Sequence, residues 1–370
     1  MEFKLPKDLP FHIKLSSILI SLVILIYATI VAKEILSPLI FSCLFSILLL
    51  PLASFLETKM KLPRSAASMI SIILLLSGIG LILYVIGSQM SDLANDWPQF
   101  QQQLLKTLDS LQDWIAATFH VNADKQLTYV HSATSKVMAS GTTVLGATLL
   151  SLSGLMLFFV FTFIYTFFFL LYRRLIMKFL ISVFLDENKE VVYEIIERVQ
   201  YMIRKYIIGL LIEAAIVSLV VCVAFWLLGI KYAVLLGLIT GLFNIIPYIG
   251  IFSALVISTL VTFATATVIS KVVLVIITLI VTHLIDSNIL LPVVVGSKVR
   301  INALVTVLGV IIGEMIWGIP GMFLSIPVIA VLKIIFDRVD GLQSWGIILG
   351  DEELKQNKLA TKLTAKRAAK

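Results

Sequence analysis

The sequence has few charged residues: Asp, Glu, Lys and Arg make up 14% of its 370 residues, against roughly 25% in an average soluble domain. Hydrophobic residues make up 59%, and the mean hydropathy is +1.05. A soluble protein of this length cannot bury that much apolar surface. The composition therefore excludes a soluble globular protein and predicts a polytopic membrane protein.

Cysteine and histidine are also scarce. Both cysteines, Cys43 and Cys222, lie inside apolar runs, and we interpret them as small core residues and not as a disulfide or a metal pair. The four histidines form no His-Glu-x-x-His motif, and the sequence has neither a Gly-x-Ser-x-Gly elbow nor a Gly-Lys-Ser/Thr phosphate loop. We therefore expect no enzyme activity, no catalytic residues, no cofactor and no bound metal.

Long apolar runs are what the sequence has in abundance. Runs of about 17 to 25 residues match the thickness of a bilayer. Six uninterrupted runs of this kind are predicted to span the membrane: Leu15–Val31, Ile35–Leu56, Ala66–Ser88, Ala147–Tyr172, Tyr206–Leu228 and Lys271–Leu291.

Two longer apolar segments, 231–267 and 302–336, are interrupted by proline and glycine. The first contains Asn244-Ile-Ile-Pro-Tyr-Ile-Gly250 and the second Trp317-Gly-Ile-Pro-Gly321. Each half has roughly 15 to 17 residues, or about 24 Å of helix, which is short of the ~30 Å hydrocarbon core. We expect each segment to form a helical hairpin of two half-helices, either re-entrant or as two short spans, and not one kinked helix.

Lysine and arginine concentrate in alternate loops, which predicts that both termini lie in the cytoplasm. We interpret the net charge of +7 as this topology signal and expect no nucleic-acid partner.

The outer loop repeats apolar residues at helical spacing, which is typical of an amphipathic helix packed on the membrane or a neighbouring subunit. The expected order is a cytoplasmic arm at 1–14, three spans in 15–88, the outer segment 89–146, a fourth span at 147–172, a cytoplasmic helical loop at 173–205, a core with the two broken hairpins at 206–336 and a basic cytoplasmic tail at 337–370.

Ionisable residues inside apolar runs are the candidate ion-binding residues, because each is costly to insert into a bilayer. Asp286 follows His283 by three residues, so both are predicted on one helical face with Asn288 nearby. This group could hold a proton or a cation; alternatively, Asp286 caps or hydrogen-bonds a neighbouring helix. Glu213 lies about two turns into a span, and Glu314 lies near the second break.

The broken helices provide a second set of candidates. A helix that stops within the membrane leaves backbone N–H or C=O groups free to bind a polar solute or ion. The alternative is that proline and glycine only let helices pack closely. The predicted solute-contact or gating residues are Asn244, Pro247, Tyr248, Gly250, Pro292, Gly318, Pro320 and Gly321.

The same motifs resemble a known family. The run Gly241-Leu-Phe-Asn244-Ile-Ile-Pro247-Tyr248-Ile-Gly250, then Asp286-x-Asn288 and Trp317-Gly-Ile-Pro-Gly321, is similar to the AI-2E family of bacterial transporters. The resemblance implies about eight membrane segments with both termini inside, in a bacterial inner membrane. It also implies transport, with members linked to export of the quorum-sensing signal autoinducer-2 and others to sodium/proton exchange.

We therefore predict an all-α polytopic membrane protein that acts as a secondary transporter. Its cargo is a small polar solute, such as an autoinducer-2-like signal, or a monovalent cation in an antiporter, with coupling to protons or cations. The expected partners are this cargo and the lipid bilayer, and a homo-oligomer is left open. The alternative is a membrane scaffold that recruits partners through the outer helix and the basic tail without transporting anything.

Overall fold

The computed structural model describes residues 10–96, 154, 156–246, 249–266, 268–295, 301–339 and 341–350. Within these ranges every regular element is a helix, which confirms the predicted all-α class. Five of these helices are long and apolar enough to cross a bilayer, or six if one bent pair forms a single span. The total of about eight segments stays a prediction. Most of the outer amphipathic segment and the tail from 351 lie outside the described residues.

The chain divides into two compact units, one formed by residues 1–43 with 301–370 and the other by residues 44–300. The helices are α1 Phe11–Val31, α2 Lys33–Thr58, α3 Arg64–Asn95, α4 Met156–Leu171, α5 Arg173–Ser182, α6 Lys189–Leu227, α7 Ala233–Asn244, α8 Ile249–Thr265, α9 Ile269–Ile285, a π-helix Asp286–Val295, α10 Ala303–Trp317, α11 Ile319–Phe336 and α12 Gln343–Leu349.

In the first unit, helices α10 and α11 form an antiparallel pair with its break at Gly318. This residue has φ +70°, a backbone conformation that glycine adopts without steric penalty. The two helices touch through glycine: a Cβ added to Gly313 would lie 2.3 Å from the carbonyl oxygen of Gly321. At the end of α10, the Trp317 indole Nε1 donates a hydrogen bond of 2.9 Å to the Thr29 carbonyl oxygen of α1.

The second unit contains a helix longer than the sequence predicts. We expected a cytoplasmic helical loop to end near residue 205 and a span to begin at Tyr206, but α6 runs without a break through 39 residues, about 58 Å. The reason is local, because no proline or glycine occurs between residues 186 and 208 to stop the helix.

The broken segment 231–267 forms helices α7 and α8 in the second unit. With 12 and 17 residues, they are about 18 and 26 Å long and shorter than a ~30 Å hydrocarbon core. They pack with α6 and α9 around a cluster of fully buried side chains. This core includes Val217, Val221, Phe225, Leu236, Val275 and Leu279.

A polar contact joins the end of α3 to the start of α7. The Lys231 Nζ donates to Asp96 Oδ2 at 2.5 Å, and the Tyr232 hydroxyl donates to the same oxygen. These two donors, the lysine first, hold the pKa of Asp96 below its ordinary value. The contact therefore holds the start of α7 against the end of α3. The last residue of α7 is the candidate residue Asn244.

Candidate functional site

Three helices of the second unit bring one amide and two carboxylates together. Glu213 comes from the middle of α6, Asn244 is the last residue of α7, and Asp286 is the first residue of the π-helix. The Asn244 Nδ2 donates to Glu213 Oε1 at 3.2 Å and to Asp286 Oδ2 at 3.0 Å. We call these three residues the carboxylate–amide site.

Both carboxylates of this site are buried: Glu213 is 3% exposed and Asp286 is 5% exposed. Each also has a second oxygen, Glu213 Oε2 and Asp286 Oδ1, that is buried and has no hydrogen-bond partner among the described residues. A buried, unsatisfied carboxylate oxygen is costly, because the desolvation of the charge is not compensated. The site thus offers two acceptor oxygens beyond those that Asn244 satisfies.

The charge of the site is the main constraint on its chemistry. Both hydrogen bonds end on one nitrogen atom, so the accepting oxygens of Glu213 and Asp286 lie no farther apart than the two distances combined, about 6 Å. Two ionised carboxylates at that separation repel each other by about 3 kcal/mol even at an effective dielectric constant of ~20. A neutral amide does not cancel this repulsion. A shared proton or a bound cation does, and it also satisfies the remaining oxygens.

Close packing of α7 against α6 positions Asn244 beside Glu213. A Cβ added to Gly241 would lie 1.9 Å from the Ser218 hydroxyl oxygen and 2.4 Å from the Ala214 carbonyl oxygen. One turn earlier, a Cβ added to Gly237 would lie 2.3 Å from the Cys222 sulfur. Only glycine permits this approach, and Asn244 follows Gly241 by three residues, within one helical turn.

Asp286 lies where helix α9 changes from α to π geometry. The π segment Asp286–Val295 contains Pro292, which cannot donate a backbone hydrogen bond. Short π segments inside helices occur frequently at functional sites, because they change the direction of the side chains that follow. Pro292 itself is exposed.

The structure does not bring His283 or Asn288 to this site. His283 is exposed, and the Asn288 side chain donates to the Leu284 carbonyl of its own helix at 2.8 Å. Three helical residues turn by about 300°, which leaves two side chains about 60° apart. Because of this angle, the Asp286 side chain is buried and contacts Asn244 of α7, whereas His283 is exposed on the surface. The predicted His283–Asp286 group is therefore replaced by Glu213, Asn244 and Asp286.

The remaining predicted residues fall into three groups. Pro247 and Tyr248 lie outside the described residues. Gly250 is buried at the start of α8, where an added Cβ would lie 1.7 Å from the Phe243 carbonyl oxygen, so glycine allows the chain to fold back tightly after α7. The others belong to the first unit: Glu314, which is exposed, Gly318 and Pro320, which are half-buried, and Gly321, which is buried.

All three members of the site are among the residues predicted from the sequence, but the pairing of Glu213 with Asp286 through Asn244 is not. Glu213 and Asp286 are separated by 73 positions, and no local pattern links them. The available signal was the spacing of Gly237 and Gly241 one turn apart on α7, which indicates a close helix contact on that face. Asn244 lies less than one turn after Gly241 on the same helix.

Comparisons with known proteins agree with one another. The sequence profile described as AI-2E family transporter matches residues 19–341. YrrI of Bacillus subtilis (strain 168) is 28% identical over 315 residues, covering 82% of this chain and 86% of YrrI. YhhT of Escherichia coli (strain K12) is 24% identical over 355 residues, covering 95% and 97%. Both are provisionally named as transport proteins. The AI-2 transport protein TqsA of Escherichia coli (strain K12) is 25% identical over 337 residues, covering 89% and 93%.

Proposed function

The chain belongs to the AI-2E family of transporters, and from this membership we propose that it is an ion-coupled secondary transporter of the bacterial inner membrane. In this proposal the carboxylate–amide site binds the coupling proton or monovalent cation. The observation that supports it is the single Asn244 amide shared by two buried carboxylates from different helices. A scaffold without transport is not favoured, because the named relatives are transport proteins.

Coupling follows from the two charge states of the site. With a proton or a monovalent cation bound, one negative charge is neutralised, and the repulsion between the two carboxylates is removed. With neither bound, two buried negative charges face each other and favour a different arrangement of α6, α7 and the π-helix. A site whose conformation depends on its occupancy can couple the movement of an ion to the movement of a helix.

Two cargoes are consistent with this coupling. The relative TqsA is named for AI-2 transport, which supports a small polar solute driven by the ion. A carboxylate pair by itself supports exchange of a monovalent cation for protons, since the same oxygens bind either one. We propose the ion as the driver in both cases, with the end of α7 and the start of α8 as the contact for a solute.

The test is flux in proteoliposomes that contain the purified protein and an internal pH dye. An imposed pH gradient is followed by sodium, potassium or lithium in turn, with and without an autoinducer-2-type furanosyl solute. Wild-type protein is expected to move protons when one of these ligands is added. Asp286→Asn and Glu213→Gln are expected to abolish this movement.

The matched control is Glu190→Gln, which removes an exposed carboxylate from the same helix as Glu213. It is expected to retain wild-type flux. Proton movement that persists in both site variants would contradict the assignment of the site. Absence of proton movement in the wild-type protein with every ligand would contradict ion coupling itself.

A further inference from the structure

A second polar feature lies in the same unit but belongs to a different part of it. A cavity of about 730 Å³ opens between the end of α2, the short helix α5 and the first half of α6. Its lining combines apolar side chains with cations and neutral polar groups. The lining includes Leu50, Arg174, Met177, Lys178, Ile181 and Ser182. We call it the basic cavity.

The charge of the basic cavity is positive and only partly compensated. Arg173 donates to Glu57, and Lys189 pairs with Asp186. The other two cations, Arg174 and Lys178, form no ion pair with any acidic residue in the described ranges. They are four residues apart on α5, so both lie on one face of the helix, and Ser182 continues the same row. This row offers a guanidinium, an ammonium and a hydroxyl to an anion.

The neighbouring face of α5 is apolar and exposed. Leu175 is 63% exposed, Phe179 is 62% exposed and Val183 is 62% exposed, again at intervals of four residues. The helix turns away from α4 with a bend of 73° at Tyr172. A short helix with one basic and one apolar face, bent away from a membrane-spanning helix, has the pattern of a helix that lies in the membrane interface.

From these observations we propose that the basic cavity binds the phosphate of an anionic phospholipid headgroup. Arg174 and Lys178 bind the phosphate oxygens, with the guanidinium able to form two parallel hydrogen bonds. Leu50, Met177 and Ile181 contact the glycerol and the first acyl carbons. A soluble phosphate ester would need the cations but not the apolar lining or the exposed apolar face of α5.

The experiment measures lipid binding to the purified full-length protein by native mass spectrometry. The probes are phosphatidylglycerol and, as the zwitterionic comparison, phosphatidylcholine. Wild-type protein is expected to retain phosphatidylglycerol preferentially. The double variant Arg174→Gln/Lys178→Gln is expected to bind it about 30-fold more weakly, the factor that two interfacial cations contribute to binding of an anionic lipid.

Two further variants separate the cavity from general electrostatics. Lys59→Gln/Lys61→Gln removes two exposed cations that do not line the cavity and is expected to bind phosphatidylglycerol like the wild-type protein. Arg174→Lys/Lys178→Arg keeps both charges and is expected to retain most of the affinity for phosphatidylglycerol. Binding by this variant also shows that the protein folds with both residues replaced. All positions changed are exposed, so each variant is expected to fold. The melting temperature of each variant checks this.

Three results would overturn the proposal. The first is equal loss of binding in the cavity variant and in the Lys59/Lys61 control. The second is a charge-conserving variant that binds no better than the charge-removing one. The third is binding of inorganic phosphate or glycerol 3-phosphate to the wild-type protein as tightly as phosphatidylglycerol, which would assign the cavity to a soluble anion.

Discussion

Replacing Asn244 by alanine removes the only group that joins the two buried carboxylates among the described residues. The variant loses two hydrogen bonds of 3.2 and 3.0 Å and leaves the oxygens of Glu213 and Asp286 unsatisfied. A hydrogen bond to a charged group contributes about 1.5–3 kcal/mol, and two bonds of one amide are not additive. We therefore expect Asn244→Ala to lower the free energy of unfolding by about 2–4 kcal/mol.

The assay is reversible denaturation of the purified protein in mixed micelles, with Asn288→Ala as the comparison. Asn288 is exposed and donates only within its own helix, so its replacement is expected to change the free energy of unfolding by less than about 1 kcal/mol. Removing one charge with Asp286→Asn is expected to reduce the effect of Asn244→Ala, with an interaction energy of about 1 kcal/mol or more. Equal effects of the two asparagine variants, or strict additivity with Asp286→Asn, would refute the reasoning.

Three other predictions concern positions around the site and at the ends of helices. Gly241→Ala is expected to lower the free energy of unfolding by about 1–3 kcal/mol, because its Cβ would overlap α6. Gly80 has open space around it, so Gly80→Ala is expected to be neutral or stabilising. Denaturation of both variants in micelles compares the two effects. Gly318→Ala is expected to cost about 1–3 kcal/mol, because its φ of 70° and ψ of −143° lie in a region essentially restricted to glycine, and a circular-dichroism melt checks this against Gly78→Ala. Because the pKa of Asp96 is lowered in the folded protein, its contribution to stability is present above the ordinary carboxyl pKa and is lost as the pH falls through the lowered value. Asp96→Asn is therefore expected to be less stable than wild type near neutral pH and to lose less stability on acidification; parallel melting curves with equal acid sensitivity would contradict this.

The helical class of the protein follows from its sequence because hydropathy depends on composition and run length alone. The long charge-free runs predicted membrane helices, and the proline and glycine clusters predicted the two breaks. The second break occurs at Gly318, inside the predicted Trp317-Gly-Ile-Pro-Gly321 run. Local rules suffice for these features because a helix ends where backbone hydrogen bonding fails.

The association of the site residues could not be predicted in the same way. The cost of inserting an ionisable residue into a bilayer singled out Glu213 and Asp286, but the sequence does not state which helices are neighbours. His283 looked like a better partner for Asp286 because it is close along the chain. The partner that the structure provides depends on the glycine contact between α6 and α7 and on the angle at which the π-helix begins. Both are tertiary features with weak local signals.

The most direct test of the central claim is infrared difference spectroscopy of the purified protein in lipid, before and after addition of alkali, sodium or lithium. If the carboxylate–amide site holds either a proton or a monovalent cation, the wild-type protein will show a carboxylic-acid C=O band that disappears on one of these additions. That band will be absent in Asp286→Asn and Glu213→Gln and unchanged in Glu190→Gln. A wild-type spectrum without such a band, or a band that persists in both site variants, would contradict the claim that this pair binds the coupling ion.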